Sequence, residues 1–391
     1  MIQEQAEAEI EKYLEKMKDI QKAILNFIEK ENTIKDDYKI IIKYLDDNEI
    51  QEDYHDFNAI LRMIIHISNH HHRTPNFFNK IEHILSSLKG GIEKFYTKNQ
   101  IFDIFQSNKR LLLYLFEEKI LIPDESLASI ITTDKYVYSY YPEYFYPEFK
   151  AFFNDEKCQE IESKTHKFWK NAEFAEKNPK LFDQKRKNAE NSENICQLIR
   201  DDMIDQFILY VNRQKKSFSD TIETSIFETN SFLMNKKPTF IEYSALFGSV
   251  LIFKFLILNE IQMTPNLWLF AIHGENTELI EQLEQSRILP KDKSYKECLL
   301  ESIKCHHIKL SNYIEKKLFK NEKDVKIYEQ SFKFYNYEYF PDDLNNQLYI
   351  FFDMCKFNYY KIVKCLLAIT KLDLNMKRIQ NKKFFLLCFK K

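Results

Sequence analysis

The chain has 391 residues, of which 44% are hydrophobic and 30% charged, and its formal net charge is −2. That length exceeds what one compact core serves, so two or more units are expected, and the mix can fold rather than stay disordered. The near balance of charge excludes the broad basic field of a general nucleic-acid or acidic-membrane binder; the basic stretches 180–187 and 377–391 read as solvated surface.

Residues 2–30 carry Ile10, Leu14, Met17, Ile20, Ile24 and Ile28 at three- and four-residue steps, which predicts one amphipathic helix. A coiled-coil seam is the alternative for this run. Its charged start lacks the basic head and apolar core of a signal peptide, so none is expected. Short helices are predicted over 38–45, 57–67, 77–88, 101–105 and 111–118, each with an apolar stripe. Breaks between them fall at Asp46-Asp47-Asn48, Thr74-Pro75-Asn76, Gly90-Gly91 and Pro123-Asp124, with Asn108 where a turn glycine would stand. Residues 136–153 are dense in aromatics, and Pro142 and Pro147 discourage a long helix, so a packed connector is expected. The polar segment 178–192 reads as a linker. It divides an N-terminal helical module, 1–177, from a C-terminal region, 193–391.

In that region, Thr239 can cap a helix carrying Ile241, Ser244 and Ala245, and Gly248 can end it in the left-handed conformation. Ile252, Phe253, Leu256 and Ile257 then give a second helix its buried face. A second unit starts at Thr264-Pro265, turns at Gly274 and resumes with Leu279, Ile280 and Leu283. A third starts at Ser294 with a capping box to Glu297, and turns at Cys305-His306-His307. A fourth runs from Leu348, turns at Asn358 and resumes over 360–367, while 335–344 reads as an insertion.

The repeated unit resembles an ankyrin repeat. Thr239-Phe240-Ile241-Glu242 stands at the family's Thr-Pro-Leu-His position, and Lys361-Ile362-Val363-Lys364-Cys365-Leu366-Leu367 is similar to its second helix. Segments 195–202 and 225–232, followed by Ile241-Glu242-Tyr243 and Leu267-Trp268-Leu269, resemble an ankyrin-like domain of unknown function expanded in protists. The likeness spans about residues 190–370. Phe240 and Glu242 depart from the family's proline and histidine. Turn positions 248, 274, 306 and 358 give steps of 26, 32 and 52, against a usual period of about 33. A generic α-solenoid is therefore the alternative architecture.

Chemistry-bearing motifs are sparse. The four glycines, 90, 91, 248 and 274, form no GxGxxG, GxxxxGK[ST] or GxSxG, which argues against nucleotide-driven enzymes and α/β hydrolases. Seven cysteines with no CxxC argue against a disulfide framework or zinc knuckle and fit a reduced compartment. His66 and His70, four apart, with His83 on the next helix, are the metal-enzyme alternative, but no HExxH accompanies them and His70-His71-His72 suits a polar helix end. Cys305 beside His306 and His307 sits in a turn, where adjacent side chains diverge. Asp46-Asp47, Asp201-Asp202 and Asp342-Asp343 fit caps and turns.

The expectation is an all-α protein: a helical module, then a solenoid of degenerate ankyrin-like helix pairs. A non-catalytic protein-protein interaction scaffold follows, using exposed residues of the first helices and the connecting loops. No residue is assigned as catalytic, cofactor-binding or metal-ligating, and no cofactor is expected. The partner is an unidentified protein, not a small-molecule substrate or nucleic acid. The apolar run 245–258 is shorter than the roughly 20 residues of a membrane span, so a cytoplasmic protein is expected, a nuclear one being compatible. The apolar tail 381–391 lacks the polar face of a capping repeat, so it folds back, docks elsewhere, or marks a fragment.

Overall fold

Apolar side chains at helical spacing become helix along the chain. The computed structural model describes residues 2–319, 325–341 and 348–369, which hold twenty-five α-helices and no strand, so the protein is all-α. Extended pairing among the described residues is limited to one bridge, Thr221 with Thr239. No described helix is long and apolar enough to cross a membrane, and no disulfide joins the described cysteines. The basic stretch 377–391, Cys388, Asp342-Asp343 and the apolar tail lie outside the described residues.

The N-terminal stretch contains α1 (Ile2–Glu29), α2 (Lys35–Asp47), α3 (Tyr54–His70), α4 (Phe77–Ser87) and α5 (Lys89–Phe95). The predicted stripe of α1 is buried at Ile10, Met17, Ile20, Ile24 and Ile28. Its C-terminal carbonyls are met by side chains: Lys80 Nζ donates to Ile28 O at 2.8 Å and Lys30 O at 2.6 Å, and Thr74 Oγ1 donates to Ile28 O at 2.7 Å. A cation at a helix C-terminus satisfies orphan acceptors and opposes the negative end of the dipole. The break expected at Gly90-Gly91 instead lies inside α5. A Cβ on Gly91 would stand 2.3 Å from the Phe57 ring, so close packing, not a turn, calls for this glycine.

Next come α6 (Lys98–Phe105), α7 (Lys109–Glu117), α8 (Glu125–Ile131), α9 (Asp134–Val137), α10 (Tyr141–Tyr144), α11 (Tyr146–Phe149), α12 (Asp155–Thr165), α13 (Phe168–Lys177) and α14 (Pro179–Asn188). Pro142 and Pro147 sit in the first turns of α10 and α11, where a missing N–H costs nothing. Tyr141, Tyr144, Phe145 and Phe149 are buried, as a packed connector requires. The segment 178–192 holds α14, whose Phe182 and Arg186 are buried.

Three helix pairs follow: α15 (Asn194–Arg200) with α16 (Ile204–Arg213), α17 (Phe240–Phe247) with α18 (Val250–Leu258), and α19 (Leu267–His273) with α20 (Thr277–Gln285). The last stretch has α21 (Lys296–Lys304), α22 (Ile308–Tyr313), α23 (Val325–Phe334), α24 (Leu348–Lys356) and α25 (Tyr360–Ile369). Helix α23 occupies a stretch in which no helix was predicted.

The helices gather into two compact units, Met1–Phe95 with Ser294–Lys391, and Tyr96–Lys293. This division differs from the expected 1–177, 178–192 and 193–391, because 178–192 buries anchors of its own and α1 packs along α25. The face of α1 read as a coiled-coil seam is covered by α25, α2, α3 and α4 of its own unit.

Candidate functional site

Within Tyr96–Lys293, α17 packs on both α15 and α19, and α16 packs on α18. The turn inside each pair is a Schellman motif built on a left-handed residue. At Asp202 (φ 50°) the residue's own N–H bonds Ile199 O at 2.9 Å, and Met203 N–H bonds Leu198 O at 3.0 Å. Gly248 (φ 68°) does the same work before Ser249, whose N–H reaches Ser244 O at 3.0 Å. In the third pair the left-handed residue is Glu275 (φ 52°), not Gly274. Gly274 is needed for another reason, since a Cβ there would lie 2.1 Å from Leu246 O of α17.

Neighbouring pairs are tied by caps. The Asp202 carboxylate accepts the N–H groups of Leu251 and Ile252, both at 2.9 Å, at the start of α18. Thr239 and Glu242 form a capping box: Glu242 N–H donates to Thr239 Oγ1 at 3.4 Å, and Thr239 N–H donates to Glu242 Oε2 at 2.9 Å. Glu242 therefore has a structural use, closing the first turn of α17.

The first helices α17 and α19 are enclosed almost all round, because each has neighbours on several sides. Large exposed apolar side chains lie instead on the second helices: Leu209 on α16, and Leu251 and Leu258 on α18. Among the first helices, α17 and α19 leave little surface free, whereas α15 keeps Asn194 and Gln197 exposed. Lys254 and Glu278 pair at 2.7 Å between the exposed sides of α18 and α20.

A buried ionic group lies in the same unit and carried no sequence signal. Lys109 Nζ donates to Ile226 O at 2.9 Å and Ser139 O at 3.2 Å, and lies 5.2 Å from the Tyr144 ring centroid. Burial pushes its ammonium down to about 7, with Glu228 and Glu143 pulling the other way. A lysine so poised can act as a nucleophile, but this one is held by two carbonyls and covered by aromatic rings, the geometry of a brace.

In the other unit, α1, α3 and α25 border a cleft of about 490 Å³ lined by Lys12, Lys16, Asp56, Lys361, Lys364 and Cys365, among others. Lys361 and Lys16 are engaged by Asp56 at 2.6 and 3.1 Å. Burial, then the Glu9 carboxylate, pushes the Cys365 thiol up, the opposite of what a nucleophilic thiolate needs.

The histidines of this unit do not form one cluster. His66 and His70 stack with ring centroids 6.2 Å apart and meet the Phe334 ring edge-on at 5.2 and 5.1 Å. Burial, then Arg62 and Lys333, pushes His66 down to about 3. His83 is exposed on α4, edge-on to Tyr38 at 4.6 Å. The His66, His70 and His83 set is therefore not gathered around a common point. The Cys305 thiol lies 3.8 Å from Glu301 Oε1, while the backbone carbonyl of Cys305 faces His71 Nδ1 at 2.8 Å. His306 is buried in the left-handed turn position (φ 59°), and burial, then His71 and His66, pushes it down to about 3. His71, His72 and His307 do converge, with one ring nitrogen from each within 4.8 Å of the others. Adjacent His71 and His72 were visible in the sequence, but nothing local linked them to His307.

Comparisons of the chain with protein families, with curated proteins and with solved structures find no match.

Proposed function

We propose that the protein is a non-catalytic scaffold that binds a protein partner through its helix pairs, α15–α20 forming an ankyrin-like solenoid. The observation that carries this reading is the placing of large apolar side chains outward on stacked second helices, with Leu209 54%, Leu251 55% and Leu258 83% exposed. Apolar residues held outward on a rigid element, beside a charged rim such as Lys254 and Glu278, have the character of an interface. The stack needs no ligand to hold its shape, since its caps and turns are internal. The chemistry elsewhere supports a non-catalytic role: the Cys365 thiol is raised and Lys109 is enclosed.

The test uses the full chain. Cross-linking capture names a partner, and its affinity is then measured with purified components for wild type and for a Leu251→Asp, Leu258→Asp double variant. At least about tenfold weaker binding, with unchanged circular dichroism, is the expected result, since exposed changes leave stability within about 0.5 kcal/mol. Equal affinity in the double variant would remove the second-helix face from the proposal.

A further inference from the structure

His71 is the C-cap of α3, His72 follows it, and His307 is the N-cap of α22 in the turn after α21. All three belong to the unit made of Met1–Phe95 and Ser294–Lys391. His72 Nδ1 and His307 Nε2 face each other at 3.3 Å. Two nitrogens bound to one tetrahedral zinc at its usual bond length of about 2.0–2.1 Å stand about 3.3 Å apart, so this pair already spans one edge of the polyhedron.

The third imidazole is oriented by its own contact. His71 Nδ1 lies 2.8 Å from Cys305 O, an acceptor only, so Nδ1 carries the proton and donates it. In the neutral ring that leaves the lone pair on Nε2, which is buried and stands 3.4 Å from Glu29 Oε1, close enough for the imidazole to hold that carboxyl below its ordinary range. Donation of one ring N–H to a backbone carbonyl while the other nitrogen binds is the usual support of a metal-ligating histidine. Glu29 supplies a neighbouring negative charge, and half-buried His72 gives an ion a way in.

We propose that His71, His72 and His307 bind a divalent transition-metal ion of the zinc class. Imidazole donors without thiolate suit zinc, copper, nickel and cobalt, and the near-tetrahedral edge favours zinc. The ion clamps the end of α3 to the α21–α22 turn, two segments 235 positions apart in the chain, so its role is to stabilise the closure of this unit. The proposal stands independently of the partner-binding reading.

The test is calorimetric titration of zinc chloride into the full chain, purified without a polyhistidine tag and stripped with a chelator. One equivalent is expected to bind at micromolar or tighter affinity. His72→Ala and His307→Ala are each expected to weaken it by about 100-fold or more, while His66→Ala leaves it unchanged. Circular dichroism identifies any variant that fails to fold; half-buried His72 is the safer substitution. Cobalt in place of zinc should give the visible absorption of a tetrahedral nitrogen-rich site. Hydrogen exchange should slow at the end of α3 and at 305–307 when zinc is added. Absence of one-site binding up to roughly 100 µM zinc, or equal affinity in folded His72→Ala, overturns the proposal. In that case the cluster is an imidazole hydrogen-bond network with a His71–Glu29 ion pair.

Discussion

In the unit formed by Met1–Phe95 and Ser294–Lys391, the locking side chains come from opposite ends of the chain, whereas among α15–α20 of Tyr96–Lys293 they come from neighbouring helices. The Gln21 amide donates to Asn336 Oδ1 at 2.9 Å and accepts from Tyr337 N–H at 2.8 Å, and both contacts are buried. Lys361 of α25 reaches Asp56 of α3 at 2.6 Å. In the other unit, Asp202 caps the next pair, Ser249 Oγ donates to Ile199 O at 2.5 Å, and Trp268 Nε1 donates to Ile288 O at 2.7 Å. Long-range closure has to overcome a large loop entropy before any contact forms, so the first unit should stand or fall as a whole. Stacked pairs depend on nearest neighbours, so damage in the second should be graded.

Truncation after Lys293 tests this contrast most severely. It strips α25 from α1 and α23 from α3. Hydrogen exchange should show α1 falling to the protection of an unfolded chain while α15–α20 keep theirs. Retained protection in α1 would mean that the N-terminal helices close by themselves.

Smaller effects are expected inside the stack. Gly274→Ala drives a methyl into the Leu246 carbonyl, a backbone atom that cannot swing away, and should destabilise by about 2–3 kcal/mol. Gly248→Ala meets a flexible Asn276 amide and a positive φ, and should lose about 1–2 kcal/mol. Urea denaturation with a constant slope measures both, and the reverse order would show that the αL turn, not the close approach, governs the stack.

A further effect, comparable in size to the Gly274 change, depends on pH. Burial pushes the Glu143 carboxyl up to about 7 from an ordinary 4.5, against the pull of Thr165 and Lys109. A raised folded value stabilises fully below about 4.5, and that contribution is lost as pH rises through about 7. Wild type should therefore lose up to ~3 kcal/mol relative to Glu143→Gln between these limits, read from urea midpoints at each pH. A difference that stays constant with pH would show the carboxylate carried at no cost.

By itself the sequence determined what depends on a few turns of chain. The stripes that make α1, α3, α4, α7, α17 and α18, the cap at Thr239, and the left-handed corners at Gly248, His306 and Asn358 all follow from residue type at short spacing. Other corners carried no such mark. Glu275 and Tyr335 take positive φ because the packed helices on either side fix the corner, whereas Asp202 is a residue type that tolerates the left-handed region. The capping box expected from Ser294 is replaced by an N-cap at Tyr295, itself left-handed at φ 59°, ahead of α21. Gly90-Gly91 reads as a break, yet both lie inside α5 and Gly91 is a packing site against Phe57. Only the tertiary structure decided which chain segments share a core, that Leu209, Leu251 and Leu258 stand outward on second helices, and that His307 meets His71 and His72. Those outcomes depend on contacts between residues up to hundreds of positions apart, and helical periodicity holds no record of them.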